Sequence, residues 1–310
     1  MVRIGVIGKG EQTKSQIENI QHTKDIKLSG LFITDETDIR SDQTNRFYSF
    51  KELLSQSDAI YILESCNDAY KYALEGFRNG KHVFLEQISS FSTDEIEILL
   101  NSRKEANVKC MIASLELGHP AFLSIRNEIK NPLFIEAKRH LQYEKNSEKN
   151  IILDIMLKDI AIILNIVKSD IKRISANGIQ INSKQTDLAN VRLEFANGCV
   201  AVLSANKTAS SPESMISIYE TQKMSLIDFE NSTTSIISFS AHGEKEVKQL
   251  ILPPLTKHPF IYQLENFRDT IAGEADPLLK LRGAYEKIDI AQKILKKINS
   301  YKEEIGRAHV

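Results

Sequence analysis

Short β-branched runs alternate with helical runs through the first third of this chain, and that alternation limits the fold more than any single residue does. Val2–Ile7 reads as a strand that stops at Gly8 and Gly10, and a polar-rich helix begins at Lys14 and reaches toward Gln21. A second strand covers Ile26–Thr34 and ends at Asp35. Phe50–Ser55 reads as a short helix, Ala59–Leu63 as a third strand, and Asp68–Asn79 as a helix stopped by Asn79-Gly80. His82–Leu85, the helical run Thr93–Asn107 and the strand Val108–Ala113 complete the series. Strands joined by helices need right-handed crossovers, so the expectation is an α/β, doubly wound parallel sheet.

The pattern changes after His119-Pro120. A helix is expected over Ala121–Lys130, a strand over Leu133–Leu141 and a long isoleucine-rich helix over Ile151–Val167. Strand runs then follow without helices between them: Ile171–Ile181, Ala189–Phe195, Val200–Ser204, Ser214–Tyr219, Met224–Phe229 and Ser235–Phe239. Asn197-Gly198 marks a hairpin. Leu264–Ala272 and Gly283–Ser300 read as closing helices. This grammar predicts an α+β domain with a large open, mostly antiparallel sheet. The expected division is 1–118 and 119–304. The last six residues, IGRAHV, resemble the translation of a common sequencing-adapter read, so 305–310 is set aside as a non-native tail.

A chain of 310 residues has room for two such domains. Its formal net charge of -1 gives no argument for nucleic acid or an anionic membrane. No apolar run approaches the roughly 20 residues of a membrane span. The start, MVRIGVIG, lacks the apolar length and cleavage site of a signal peptide. Cys66, Cys110 and Cys199 are too far apart for a CxxC metal site, and the histidines have no ligand spacing, so no metal is expected. Widely spaced cysteines fit a reducing, cytoplasmic setting.

The first strand and helix are joined by Gly8-Lys9-Gly10-Glu11-Gln12. In a dinucleotide-binding turn the first glycine makes the tight turn, the second lets the backbone approach a pyrophosphate, and the third lets helix and strand pack closely. Thr13 stands at the third position. Asp35, ending the second strand, would accept hydrogen bonds from the adenosine ribose and repel a 2′-phosphate, which favours NAD over NADP. The same residues also suit a glycine turn in an α/β domain that binds something else or nothing.

Taken together, IGVIGKG, SDAIYILESCNDAY (57–70), ALEGFRNGKHVFLEQ (73–87), LDIMLKDIAIIL (153–164) and TDLANVRLEFANGCVAVLSANK (186–207) resemble the Gfo/Idh/MocA oxidoreductases over nearly the whole chain. The resemblance implies a Rossmann domain followed by an α/β domain whose open sheet often joins subunits, here as a homodimer or homotetramer. It implies reversible hydride transfer between a nicotinamide cofactor and a hydroxyl-bearing carbon of a small sugar, cyclitol or related molecule. It also implies cofactor contacts from Ser65, Asn67 and Glu86.

This chain departs from the family pattern where the chemistry lies. The usual E-K-P turn is Glu86-Gln87-Ile88, and a neutral amide donates a hydrogen bond but cannot shuttle a proton. The helix motif D-x-G-x-H-x-x-D is matched by Asp154, Met156, Lys158 and Ala161. Lys158 thus stands at the histidine position. Tyr70 and Ser114 occupy two further positions that often carry histidine.

Lys158 could supply the ammonium lost at position 87, with Asp154 orienting it or binding substrate hydroxyls. The bland alternative is an i,i+4 ion pair on a helix face. Tyr70 could pack on the cofactor or donate to substrate, or simply be partly buried. Asn67 could contact the cofactor or cap a helix. The main expectation is an NAD-dependent oxidoreductase acting on a small polyol-like substrate. The alternatives are a non-catalytic dinucleotide-binding protein, such as a sensor or complex subunit, and a reductase whose substrate needs little acid–base help.

Overall fold

The computed structural model describes residues 1–9, 12–34, 45–63, 66, 68–88, 90–144, 149–183, 185–239, 245–250 and 257–308, with backbone alone for 12, 245–250 and 301–308. It forms two compact units, 1–118 with 256–285 and 119–255 with 286–310.

The first unit contains β1 (Val2–Gly8), α1 (Gln12–Gln21), β2 (Ile26–Ile33), β3 (Arg46–Phe47), α2 (Phe50–Gln56) and β4 (Ala59–Ile62). These are followed by α3 (Ala69–Arg78), β5 (His82–Leu85), α4 (Thr93–Glu105) and β6 (Cys110–Ile112). The six strands form a parallel sheet in the order β3-β2-β1-β4-β5-β6. Helices cover both faces of such a sheet, so its central strands must be apolar on both sides. Ile4, Val6, Ile7, Ile60, Tyr61, Val83 and Phe84 are accordingly buried without residual exposure. Gly80 ends the α3 turn at φ +67°, a left-handed conformation that favours glycine. Ser92 caps α4 in a reciprocal box: its Oγ accepts the Glu95 N–H at 3.2 Å, and its own N–H donates to Glu95 Oε2 at 2.8 Å.

The second unit opens with α5 (Pro120–Ile125) and β7 (Phe134–Gln142). The expected helix to Lys130 stops short. Glu220 Oε1 takes the main-chain N–H groups of Lys130 and Asn131, each at 2.8 Å, and draws that segment out of helical geometry. Next comes a π-helical turn over Ile151–Met156 that continues as α6 (Leu157–Ile166). The long helix expected over Ile151–Val167 therefore begins with a wider winding than its apolar spacing revealed. Then come β8 (Ile171–Ile179), β9 (Leu188–Phe195), β10 (Val200–Ala209), β11 (Glu213–Glu220), β12 (Lys223–Asp228), β13 (Thr233–Phe239) and β14 (Lys245–Leu250). Among the described residues these form an eight-stranded sheet, β14-β13-β12-β11-β7-β10-β9-β8, antiparallel except for β7 beside β10. Ala189, Val191, Leu193, Ala201, Leu203 and Ala205 point to one face and are buried, while their neighbours point to the other.

The chain closes with α7 (Pro259–Ala272) and α8 (Leu281–Ala308). Here the expected division needs correction, because 256–285 belongs to the first unit rather than the second. Phe267 of α7 packs on Phe84 at 5.3 Å, and Phe260 stacks on the same ring at 5.6 Å with 6° between planes. An amphipathic helix settles where its apolar face is buried, and the sheet that receives this one was completed 140-odd positions earlier. Helix α8 runs through Ala308, and 309 and 310 lie outside the described residues.

Candidate functional site

In the first unit the described candidate residues lie on elements at the carboxyl ends of the parallel strands. The sheet order reverses between β1 and β4, and ligands of open α/β sheets bind at such a switch point. Gly8 ends β1 there. A Cβ on it would lie 2.2 Å from Leu63 Cδ1, so a side chain there would have to displace that of Leu63 just after β4. The Gly8 carbonyl accepts the Thr34 N–H at 3.1 Å, joining the ends of β1 and β2. Lys9 follows, and its carbonyl accepts the Thr13 hydroxyl at 3.3 Å. Thr13 is fully buried, so the residue at the third-glycine position closes the turn from inside. Gln12 opens α1. Gly10, Glu11, Asp35, Ser65 and Asn67 lie outside the described residues. Cys66 is buried, and burial pushes its thiol above the ordinary value, which marks a packed side chain rather than a nucleophile.

Glu86 and Gln87 leave β5 at the same edge. The Glu86 N–H donates to the Ile62 carbonyl at 2.9 Å, and Glu86 Oε1 accepts the Tyr61 hydroxyl at 3.1 Å. Gln87 is half-buried, and Ile88 is packed inside, filling the usual proline position with an apolar core side chain. Tyr70, in the first turn of α3, is half-buried and meets Phe91 edge-on at 6.1 Å. The first unit thus brings Gly8, Lys9, Gln12, Tyr70, Glu86 and Gln87 onto elements that end at one edge of its sheet. Ser114 belongs to this unit too. Its N–H donates to the buried Gln263 Oε1 of α7 at 2.7 Å. These residues fit a dinucleotide, since β1 ends at Gly8 where a side chain would meet Leu63, and a carboxylate is fixed from β4 at the carboxyl end of β5.

Asp154 and Lys158 belong to the second unit. Asn150 Oδ1 accepts the N–H groups of Ile152 and Leu153, both at 3.0 Å. Asp154 reaches back to accept the Asn150 N–H at 2.7 Å. The carboxylate expected to face Lys158 is therefore engaged at the N-terminus of its own helix, and the π-helical turn alters the i,i+4 geometry that expectation assumed. Both Asp154 and Lys158 are exposed.

The residue after Lys158 escaped the sequence reading. Asp159 is buried and accepts from Arg139 of β7, Nη2 at 2.6 Å and Nε at 3.0 Å. The Arg139 guanidinium lies 5.4 Å from the centre of the Phe229 ring, which meets His119 edge-on at 5.2 Å. The available signal was an acid inside the otherwise apolar run LDIMLKDIAIIL, because a buried carboxylate demands a cation. Asp187 and Lys207 form a second buried pair at 3.3 Å, and Lys207 Nζ also donates to the Lys149 carbonyl at 3.4 Å, just before Asn150. Among the described residues no group of histidine, cysteine and carboxylate side chains could hold a metal ion, and no helix is long and apolar enough to cross a membrane.

Comparison with known proteins shows the family. Residues 2–114 match the sequence model of an oxidoreductase family with an NAD-binding Rossmann fold, and residues 106–226 match the Gfo/Idh/MocA C-terminal domain. The chain is 24% identical to the UDP-N-acetylglucosamine 3-dehydrogenase of Acidithiobacillus ferrooxidans, over 87% of this chain and 89% of that protein. A solved structure of that enzyme superposes with a TM-score of 0.85 at 21% identity, covering 97% of this chain and 98% of the other. A dehydrogenase from Clostridium difficile superposes with a TM-score of 0.80 at 18% identity, covering 96% and 99%. With both of its domains matched in order, the chain belongs to the Gfo/Idh/MocA family of oxidoreductases, with an NAD-binding Rossmann domain.

Proposed function

We propose that this protein is an NAD(H)-dependent dehydrogenase acting at a hydroxyl-bearing carbon of a small sugar, cyclitol or related substrate. The observation that carries the reading is Glu86, a carboxylate fixed from β4 at the same edge of the sheet where β1 ends at Gly8. The nicotinamide, when bound, accepts or supplies the hydride. Gly8, Lys9, Gly10, Glu11 and Gln12 form the turn for the pyrophosphate, with Ser65 and Asn67 contributing further cofactor contacts. Asp35 receives the adenosine ribose and disfavours NADP. Glu86 accepts a ribose hydroxyl on the nicotinamide side. Gln87 donates a hydrogen bond to the reacting oxygen, and Lys158 moves the proton that a neutral amide cannot. Tyr70 packs at the cofactor's edge. Asp154, occupied by Asn150, acts by holding the start of the Lys158 helix.

The relative named for dehydrogenation of UDP-N-acetylglucosamine supports a sugar-type hydroxyl and places nucleotide sugars beside polyols among the substrates to test. We further propose a homodimer or homotetramer assembled through the open sheet face of the second unit. The deciding experiment is turnover with NAD on a panel of polyols, cyclitols and nucleotide sugars, comparing wild type with Lys158→Ala. Loss of about 100-fold or more in kcat, with unchanged NADH affinity, is expected if Lys158 moves the proton. NADH binding without turnover on any substrate would instead favour the non-catalytic reading, which the paired replacements at 87 and 158 motivate.

A further inference from the structure

Tyr61 sits within β4 with no exposed surface. Its ring lies against Phe84 of β5 at 5.0 Å and Phe260 of α7 at 5.2 Å. A phenol so buried needs a partner for its hydroxyl, and that hydroxyl donates to Glu86 Oε1 at 3.1 Å. Pairing between β4 and β5 sets Tyr61 opposite Phe84 and Ile62 opposite Leu85, so Glu86 is the next residue along the ladder. Its N–H donates to the Ile62 carbonyl at 2.9 Å. Main chain and side chain of Glu86 are therefore both fixed from the neighbouring strand. Gln87 is the residue that follows.

We infer that Tyr61 is a positioning residue: its hydroxyl, braced between Phe84 and Phe260, aims the Glu86 carboxylate at the ribose on the nicotinamide side of the cofactor. This rests on the cofactor reading given above. A carboxylate offers about four acceptor sites, so one phenolic donor orients it without exhausting it. The brace comes partly from α7: Phe260 packs on the ring of Tyr61, and Gln263 Oε1 accepts the Ser114 N–H.

Tyr61→Phe keeps the ring and deletes the hydroxyl. The test is calorimetric titration of wild type and variant with ADP, ADP-ribose and NADH, where only the last two carry the second ribose. Tyr61→Phe is expected to weaken ADP-ribose and NADH about tenfold, the scale of one hydrogen bond to a charged group, and to leave ADP within twofold. Glu86→Gln should give the same pattern, and the double variant should bind no more weakly than the single variants. It is overturned if Tyr61→Phe binds all three ligands like wild type, or loses ADP as much as NADH. A wild type that binds none of the three overturns the proposed function and this inference together, a pattern distinct from either of those.

Discussion

Single residues in this protein report their surroundings through packing and charge. Asp187 shows it most sharply. Burial opposes its charge, yet the Ser183 hydroxyl and the N–H groups of Asn182, Ile181 and Ser183 hold its carboxyl well below the ordinary carboxylate range. Its folded pKa lies below the unfolded value of about 3.9, so the charge stabilises the fold above that pH and the contribution is lost as acid titrates it. Urea midpoints should fall as pH drops below about 4 in wild type, and less steeply in Asp187→Asn. Parallel acid slopes would contradict this. At this scale the end of β1 at Gly8 and the step out of β5 at Glu86-Gln87 were legible, because backbone and charge requirements leave marks in residue type. Arg139–Asp159 and Asp187–Lys207 were not, because their partners come from separate strands, helices and loops and meet only after folding.

Elements were legible where periodicity and stop signals agree. Val2–Gly8, Ala59–Ile62 and His82–Leu85 follow their apolar runs, and Gly80 and Gly198 turn the chain where Asn-Gly pairs predicted. The π-helical turn was invisible because Ile151, Ile152, Ile155 and Met156 satisfy either winding. The strand Lys245–Leu250 was missed because KEVKQL alternates too little to stand out. Caps act locally, so they are a clean probe at this scale. Ser92→Ala removes one half of the α4 capping box and should cost about 1 kcal/mol in urea denaturation. No change in the midpoint would show that the helix draws its stability from tertiary packing alone.

At the level of the whole molecule, the chain leaves its first unit at Gly118 and returns to it for 256–285. Linear reading placed the departure and missed the return, since nothing local in an amphipathic helix says which sheet it will cover. The open face of the second sheet has Leu226 in the middle of β12, between Ser217 and Ser235 on the neighbouring strands. If that face joins subunits, wild type should sediment as a dimer or tetramer and Leu226→Lys as a smaller species with an unchanged melting temperature. A monomeric wild type, or a variant of the same mass, would contradict the proposed assembly. On the proposed function, the first unit is a nicotinamide site whose preference for NAD is set by Asp35. Titration of the purified chain with NADH and NADPH tests it most directly. The account predicts saturable binding of NADH, at least about tenfold tighter than NADPH, a difference of about 1.4 kcal/mol. Absence of binding to either cofactor at millimolar concentration would contradict it.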